Sequence, residues 1–214
     1  MDSFTLPTAL GDLLDADRVI VQQHAISKDR KRYEILNRYE VMVNSPRNTW
    51  KHLLELEEQS SFRSRLFCFS ARPFRMRAAR NGQSVLMLNR PLRCPANIGC
   101  SCPHQLYVNL IDGTLIGSIV QKPSCSQNVF HLLDADNEPQ LVIKGPWLAY
   151  HCCLDLAFKV YSIKGGRSIG RVIRQWREGK DMFHIAFPLD LHVLLKLLLL
   201  NAAVLIDFLY FGSH

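Results

Sequence analysis

Residues 189–211, which begin with Leu189 and end with Phe211, are apolar on almost every face of a helix, and this segment constrains the fold most strongly. A helix without a continuous polar face lies either in the core of a larger structure or across a membrane. At 1.5 Å per residue the segment covers roughly 35 Å, and the hydrocarbon core of a bilayer measures about 30 Å. Its length therefore permits both a buried helix and a membrane span.

Asp190 and His192 lie near the start of this apolar segment, and three further polar side chains interrupt its interior: Lys196, Asn201 and Asp207. A charged side chain at the centre of a bilayer costs on the order of 3 kcal/mol, and less where it can reach the interface. Inside a closed β-barrel, by contrast, Lys196 and Asp207 could find partners near the two mouths. These residues favour a helix enclosed by a barrel, and the membrane span stays open as the alternative.

The chain before this segment consists mainly of short stretches that indicate β-strands, separated by turn residues. Asn-Gly at 81–82 is a strong hairpin signal because both residues tolerate positive φ, and Gly-Gly at 165–166 marks another turn. Residues 134–138 resemble the opening of a calcium-binding loop, but they lie between two strands and we predict a β-turn. Residues 48–69 are ambiguous and fit a short helix or a long insertion. The spacing of the strands predicts a closed antiparallel barrel or a sandwich.

The composition excludes several classes of protein. Hydrophobic residues make up 48% and the mean hydropathy is -0.02, so at most one segment can span a membrane. A net charge of +7 and a pI of about 9.2 indicate an anionic partner, such as acidic lipid headgroups, nucleic acid or an acidic protein. Because the Lys and Arg residues are dispersed, the sequence gives no strong signal for nucleic acid.

The sequence predicts a short N-terminal tail over residues 1–14 and a single domain over residues 15–214. Residues 1–14 mix acidic and apolar side chains and do not resemble a secretory signal. Together with the odd cysteine count of seven, this predicts a reduced, cytosolic setting. The sequence holds no nucleophile–base pair, Gly-rich phosphate loop or zinc-protease motif, and we expect no covalent catalysis.

Several motifs, taken in order along the chain, resemble the phospholipid scramblase family from about residue 12 to residue 211. They are Ala-Arg-Pro-Phe at 71–74, Arg-Pro-Leu-Arg-Cys at 90–94, Gly-Pro-Trp and Cys-Cys within 142–162, and Phe-Pro-Leu-Asp-Leu and Leu-Ile-Asp-Phe within 187–211. The last pair is the most specific. The resemblance implies a mainly β, tubby-like fold, in which about twelve antiparallel strands form a closed barrel around the hydrophobic C-terminal helix.

The resemblance also implies a function, namely ATP-independent, calcium-stimulated movement of phospholipids between membrane leaflets. It places the protein on the cytosolic face of the plasma membrane or of an organelle. Two other hypotheses stay open. One is a regulatory module that binds anionic lipids through its basic face and recruits protein partners without transport. The other is a tail-anchored adaptor.

A calcium site is the first site that the resemblance suggests. The family carries a run similar to Asp-x-Asp-Asn just before the Phe-Pro-Leu-Asp-Leu motif, and here residues 179–182 retain only Asp181 and bring in Lys180. Asp181, Asp190 and Glu178 are the candidate ligands. Because calcium takes six to eight oxygen ligands, such a site would be weak. The alternative is that Asp181 caps a turn.

Cysteines form the second candidate site. Three of them occupy the place of the family's palmitoylated cluster: Cys94, Cys100 and Cys102. Acyl chains on these residues would anchor the protein to a membrane. Structural zinc held by these three and His104 is an alternative, although Cys-Ser-Cys is tighter than the usual spacing of zinc ligands. For Cys152 and Cys153 we expect burial in a strand, with acylation as the alternative.

The third candidate is a basic patch formed by Arg171, Arg174 and Arg177 beside Trp176. It aligns with a segment that serves nuclear import in some relatives, which would imply a nuclear pool. The alternative is a strand edge that faces solvent or lipid headgroups.

Overall fold

The computed structural model describes residues 7–24, 36–44, 49–60, 73–92, 103–147, 155–177 and 180–211. These residues contain a short 3-10 helix, Thr8–Leu13, and the C-terminal α-helix, Val193–Tyr210. The strands in this part of the chain are β1 (Arg18–Gln23), β2 (Arg38–Asn44), β3 (Trp50–Gln59), β4 (Phe74–Arg80), β5 (Gln83–Arg90), β6 (Gln105–Leu110), β7 (Leu115–Lys122), β8 (Gln127–Asp134), β9 (Pro139–Pro146), β10 (Leu156–Ser162), β11 (Ser168–Arg177) and β12 (Lys180–Ala186).

These twelve strands form a closed antiparallel barrel, which confirms the predicted fold class. Each strand pairs with its neighbours along the chain, and β1 closes the barrel against β12, with Val21 opposite Phe183. Successive side chains of a strand point to opposite faces of the sheet, so every second residue enters the core. In β2, for example, Tyr39, Val41 and Val43 are buried. Closure leaves no strand edge exposed along this sheet.

The C-terminal helix lies inside the barrel, so the prediction of an enclosed helix is confirmed. Residues 197–206 have no exposed surface, and the ring of Phe208 stacks on Phe74 of β4 with 4.1 Å between the ring centroids. Gly117 on β7 lets the helix and strand β8 pack closely against β7. A Cβ at this position would lie 2.3 Å from the Leu133 carbonyl oxygen and 3.0 Å from Leu198 Cδ1. In the described residues this is the one helix long and apolar enough to cross a membrane, and 78% of it is buried in protein.

The ambiguous stretch at 48–69 contains strand β3, so the expectation of a helix or an insertion is wrong for the part that the structure describes. β3 pairs with β2 from Trp50 to Glu57 and with β4 from Glu55 to Gln59. Its register with β2 shifts next to Leu53, and both Leu53 and Leu54 are buried as a result. This β-bulge breaks the two-residue alternation and hides the strand from a sequence pattern.

The predicted turns are confirmed. Asn81 and Gly82 both have positive φ, at 50° and 80°. In the turn between β8 and β9, the Asp134 carboxylate accepts hydrogen bonds from the backbone N–H groups of Asp136 and Glu138, at 3.1 and 2.9 Å. Residues 134–138 therefore form an Asx-type turn rather than a calcium loop.

The barrel has two ends, which we name after the C-terminal helix. The entry end, where the helix begins, includes the start of β1 and the end of β12; the exit end, where the helix ends, includes the end of β1 and the start of β12. The 3-10 helix packs against the entry end with Leu10 and Leu13 buried. The described part of the predicted N-terminal tail, residues 7–14, thus contributes to the core.

Candidate functional site

The charged residues of the C-terminal helix mark its two ends, and Lys196 lies at the entry end. Its side chain is 1% exposed, and its Nζ donates to the carbonyl oxygens of Leu14, Ala16 and Leu189 at 2.8 Å and of Leu13 at 3.2 Å. Burial lowers the pKa of the Lys196 ammonium, and the nearby carboxylates of residues 15, 17 and 190 oppose that shift. Lys196 therefore ties the helix to the N-terminal segment rather than facing lipid.

Asp207 lies near the exit end, within a buried polar cluster. The hydroxyl of Tyr39 donates to Asp207 Oδ2 at 2.5 Å, while Asp207 Oδ1 has no hydrogen-bond partner in the described residues. Burial raises the pKa of Asp207 to about 7; the Asp181 carboxylate adds to the shift, and the Tyr39 hydrogen bond and Arg174 oppose it. A carboxylate with this pKa is partly protonated near neutral pH.

Arg174 and Asp181 complete this cluster. Arg174 Nε donates to Asp181 Oδ1 at 2.5 Å, and the guanidinium lies over the ring of Phe211 at 4.0 Å from its centroid. Arg174 is fully buried and Asp181 is 5% exposed. This cluster places an arginine, two carboxylates and a tyrosine hydroxyl inside the exit end, where other polar side chains are buried too: Gln23, Asn37, Glu58, Arg90 and Asn128. The sequence predicts that Asp207 lies near a barrel mouth, but no sequence pattern links Tyr39 or Arg174 to it.

Asn201 lies midway along the helix and has no exposed surface. Its Nδ2 donates to the carbonyl oxygen of Leu197 at 2.8 Å, one turn earlier, and its Oδ1 has no partner among the described residues. Near the end of the helix, the Tyr210 hydroxyl donates to Asn128 Oδ1 at 2.7 Å and accepts from Gln121 Nε2 at 2.9 Å. Tyr210 therefore links the helix to β7 and β8, a role that its sequence position did not reveal.

The structure does not bring the predicted calcium ligands together. Asp181 is near the start of β12 and pairs with Arg174, whereas Asp190 lies beyond the opposite end of that strand. Five residue intervals from Asp181 to Ala186 alone span roughly 17 Å at the rise of a β-strand. Glu178 lies outside the described residues. Within the described part of the chain no group of three or more His, Cys, Asp or Glu residues could hold a metal ion, so these residues do not fit calcium as a set.

The predicted basic patch is not one surface. Arg171 is exposed on the outside of β11, while Arg174 is buried inside the barrel, because residues three apart on a strand point to opposite faces. Arg177 is exposed at the end of the same strand. Grouping Arg174 with the other two was therefore wrong.

The predicted acylation sites, Cys94, Cys100, Cys102, Cys152 and Cys153, lie outside the described residues. His104, the fourth ligand in the zinc alternative, is described, and its Nδ1 lies 3.0 Å from Arg90 Nη2. Leu189 precedes the helix and is 60% exposed, and Phe211 is buried at its end.

Comparison with known proteins gives the chain a family. The model of the Scramblase family matches residues 3–213. Phospholipid scramblase 1 and phospholipid scramblase 4, both from Homo sapiens, are each 30% identical to the chain; the matches cover 97% and 96% of this chain and 67% and 64% of those proteins. Phospholipid scramblase family member 5 from Homo sapiens is also 30% identical, over 99% of this chain and 80% of that protein.

No solved structure matches the chain significantly. The chain spans about two thirds of the length of the first two relatives, and the family match covers nearly all of it. Motif order, family model and the barrel with its enclosed helix agree, and the chain belongs to the scramblase family.

Proposed function

We propose that the protein moves phospholipids between the two leaflets of a membrane, in both directions and without ATP or covalent chemistry. The observation that carries this proposal is the family match over residues 3–213, because relatives at 30% identity are named phospholipid scramblases. The predicted site of action is the cytosolic face of the plasma membrane or of an organelle.

The structure limits how such movement could occur. The barrel interior is filled by the C-terminal helix, whose residues 197–206 have no exposed surface. A headgroup therefore has no open path through the described part of the barrel. Releasing the helix would break the contacts of Lys196 and Asp207 and would place charged groups in hydrocarbon at a cost on the order of 3 kcal/mol each. We infer that the protein acts on the bilayer from its surface, with the helix in place.

Calcium stimulation stays a prediction, and no step is assigned to the ion. Of the candidate ligands in the described residues, Asp181 already has Arg174 as a partner and Asp190 lies at the other end of the barrel. We expect the calcium response of lipid movement to be small.

The second candidate function, a lipid-binding module without transport, is favoured by the same filled interior. The test is leaflet exchange of a fluorescent phospholipid in liposomes that hold the purified protein, with calcium and with a chelator. Exchange faster than in protein-free liposomes supports transport. Exchange at the rate of protein-free liposomes, together with co-sedimentation of the protein, would reject transport and leave the lipid-binding module.

A further inference from the structure

The outer face of the barrel carries a row of cations that directly oppose one another. The register of β9, β10 and β11 places Lys144 opposite Lys159, and Lys159 opposite Arg171. All three side chains are exposed. We call these three residues the basic row. They lie on adjacent strands, so their Cβ atoms are only about 5 Å apart.

Barrel stability does not explain this row. Like charges directly opposite each other on neighbouring strands destabilise a sheet. Strands β9 to β12 contain a single acidic residue, Asp181, and it points into the barrel. Among the described residues no ion pair joins the basic row to a carboxylate.

The opposite side of the barrel shows the usual arrangement. There Glu57 of β3 lies between Arg38 of β2 and Arg77 of β4 in register, with ion-pair distances of 2.5 Å to Arg38 and 3.7 Å to Arg77. One lateral row therefore alternates in charge, and the other is uniformly positive. The positive row leaves its charge available to an external anion.

The residues beside the basic row indicate the chemistry of that anion. Along β10 the outward positions run from Lys159 to Tyr161, and Ile163 follows the strand within about 13 Å of Lys159 at the rise of a strand. An open groove of about 670 Å³ lies here, lined by Lys159, Tyr161, Arg171 and Phe187 among others. Past the groove, at the entry end, Ile163 is 41% and Leu189 is 60% exposed.

This order of cation, aromatic ring and exposed apolar side chain matches the layers of a membrane surface. Cations attract the phosphate groups of anionic lipids, tyrosine favours the interface, and isoleucine and leucine favour the acyl boundary. A soluble polyanion would use the cations and leave the apolar residues exposed to water.

We propose that β9–β11 form a membrane-docking face: the basic row binds the phosphate groups of anionic phospholipids, and Ile163 and Leu189 enter the interface beside it. This deepens the proposed function by naming the surface that meets the membrane.

The test is co-sedimentation with vesicles of phosphatidylcholine, with and without phosphatidylserine. The variant Lys144→Gln/Lys159→Gln/Arg171→Gln should bind vesicles with phosphatidylserine roughly a hundredfold more weakly, because each surface cation contributes several-fold to the binding constant.

The control Arg38→Gln/Arg75→Gln/Arg77→Gln removes the same charge from the other side of the barrel, and we expect its vesicle binding to weaken less than about threefold. Equal losses in the two variants would overturn the proposal. The midpoint of thermal unfolding of the row variant should equal or exceed that of the wild type, which excludes misfolding.

A second variant separates the membrane from other anions. Ile163→Ser/Leu189→Ser should weaken vesicle binding, most clearly at high salt, while binding to heparin stays unchanged. Unchanged vesicle binding by this variant would contradict docking and would assign the row to a soluble polyanion.

Leaflet exchange in liposomes distinguishes the two proposals. If the wild type binds vesicles through the row but exchanges no lipid, docking stands and transport fails. If it exchanges lipid while the row variant binds like the wild type, transport stands and docking fails.

Discussion

Asp207 links a single side chain to the pH dependence of the whole fold. Its pKa is about 7 in the native protein, against an ordinary value of 3.8, so between these values the native state binds a proton that the unfolded chain has lost. Asp207 therefore stabilises the native state fully at pH values below 3.8, its pKa in the unfolded chain. This stabilisation is lost as the pH rises through about 7, its pKa in the native protein. The burial of the charged form is the physical cause.

We expect Asp207→Asn to raise the midpoint of thermal unfolding at pH 8 and to leave it nearly unchanged at pH 4. Asparagine is neutral at both pH values and can still accept the Tyr39 hydrogen bond. The gain in free energy of unfolding at pH 8 should be on the order of a few kcal/mol. Asp136→Asn is the control, because Asp136 is exposed in the turn between β8 and β9, and its effect should be small at both pH values. An equal shift for Asp207→Asn at both pH values would contradict the argument.

At the scale of single residues, the sequence predicts that the charged side chains of the helix need partners, but it does not identify those partners. Charges in an apolar helix must be satisfied when buried, and this alone predicted that Lys196 and Asp207 lie near the barrel mouths. The hydroxyl that binds Asp207 belongs to Tyr39, 168 residues away along the chain. Only the closed barrel brings the two together, so no local pattern could have identified Tyr39.

Lys196 joins two elements, the C-terminal helix and the 3-10 helix with the residues that follow it. We expect Lys196→Met to lower the free energy of unfolding by about 2 to 4 kcal/mol, because buried carbonyl oxygens would lose a charged donor. The measurement is chemical denaturation. Lys164→Met is the control, since Lys164 is exposed in a turn and the same substitution there should be nearly neutral.

Protease sensitivity gives the same prediction a second readout. In Lys196→Met the bond between the N-terminal segment and the helix is lost, so cleavage near residues 13–16 should become faster than in the Lys164→Met control. If Lys196→Met is as stable as the wild type and as resistant to protease, Lys196 does not join these elements.

Elements with regular alternation could be predicted, and those with irregular register could not. The hairpin between β4 and β5 follows from Asn81 and Gly82 alone. β3 was missed because a bulge buries Leu53 and Leu54 together. Arg171, Arg174 and Arg177 are close in sequence, but Arg174 is buried because residues three apart along β11 point to opposite faces.

At the scale of the whole molecule, two sequence observations favour a helix inside a closed sheet but leave a sandwich and a membrane span open, and the family resemblance selects the barrel around the helix. Many short strands need closure to avoid exposed edges, and an apolar helix needs a surrounding core. The charge pattern on the outer face could not be predicted from the sequence. Lys144, Lys159 and Arg171 lie side by side only because of the register of three strands. The sequence alone shows a dispersed positive charge and one local group of arginines, Arg171, Arg174 and Arg177.

The closed architecture makes a prediction about how the protein is held at a membrane. We predict that the helix stays inside the barrel and does not span the bilayer, and that stable attachment comes from acyl chains on Cys94, Cys100 and Cys102, while the basic row gives reversible docking. In membranes from cells that express the protein, we expect alkaline carbonate to leave part of the wild type in the pellet and to release Cys94→Ser/Cys100→Ser/Cys102→Ser into the supernatant. The same triple variant with a single membrane-spanning helix fused to its C-terminus is the control and should stay in the pellet. Retention of the unfused triple variant would contradict anchoring through these three cysteines and would leave acylation of Cys152 and Cys153 or a membrane-spanning C-terminal helix, whereas release of the wild type would exclude acyl anchoring.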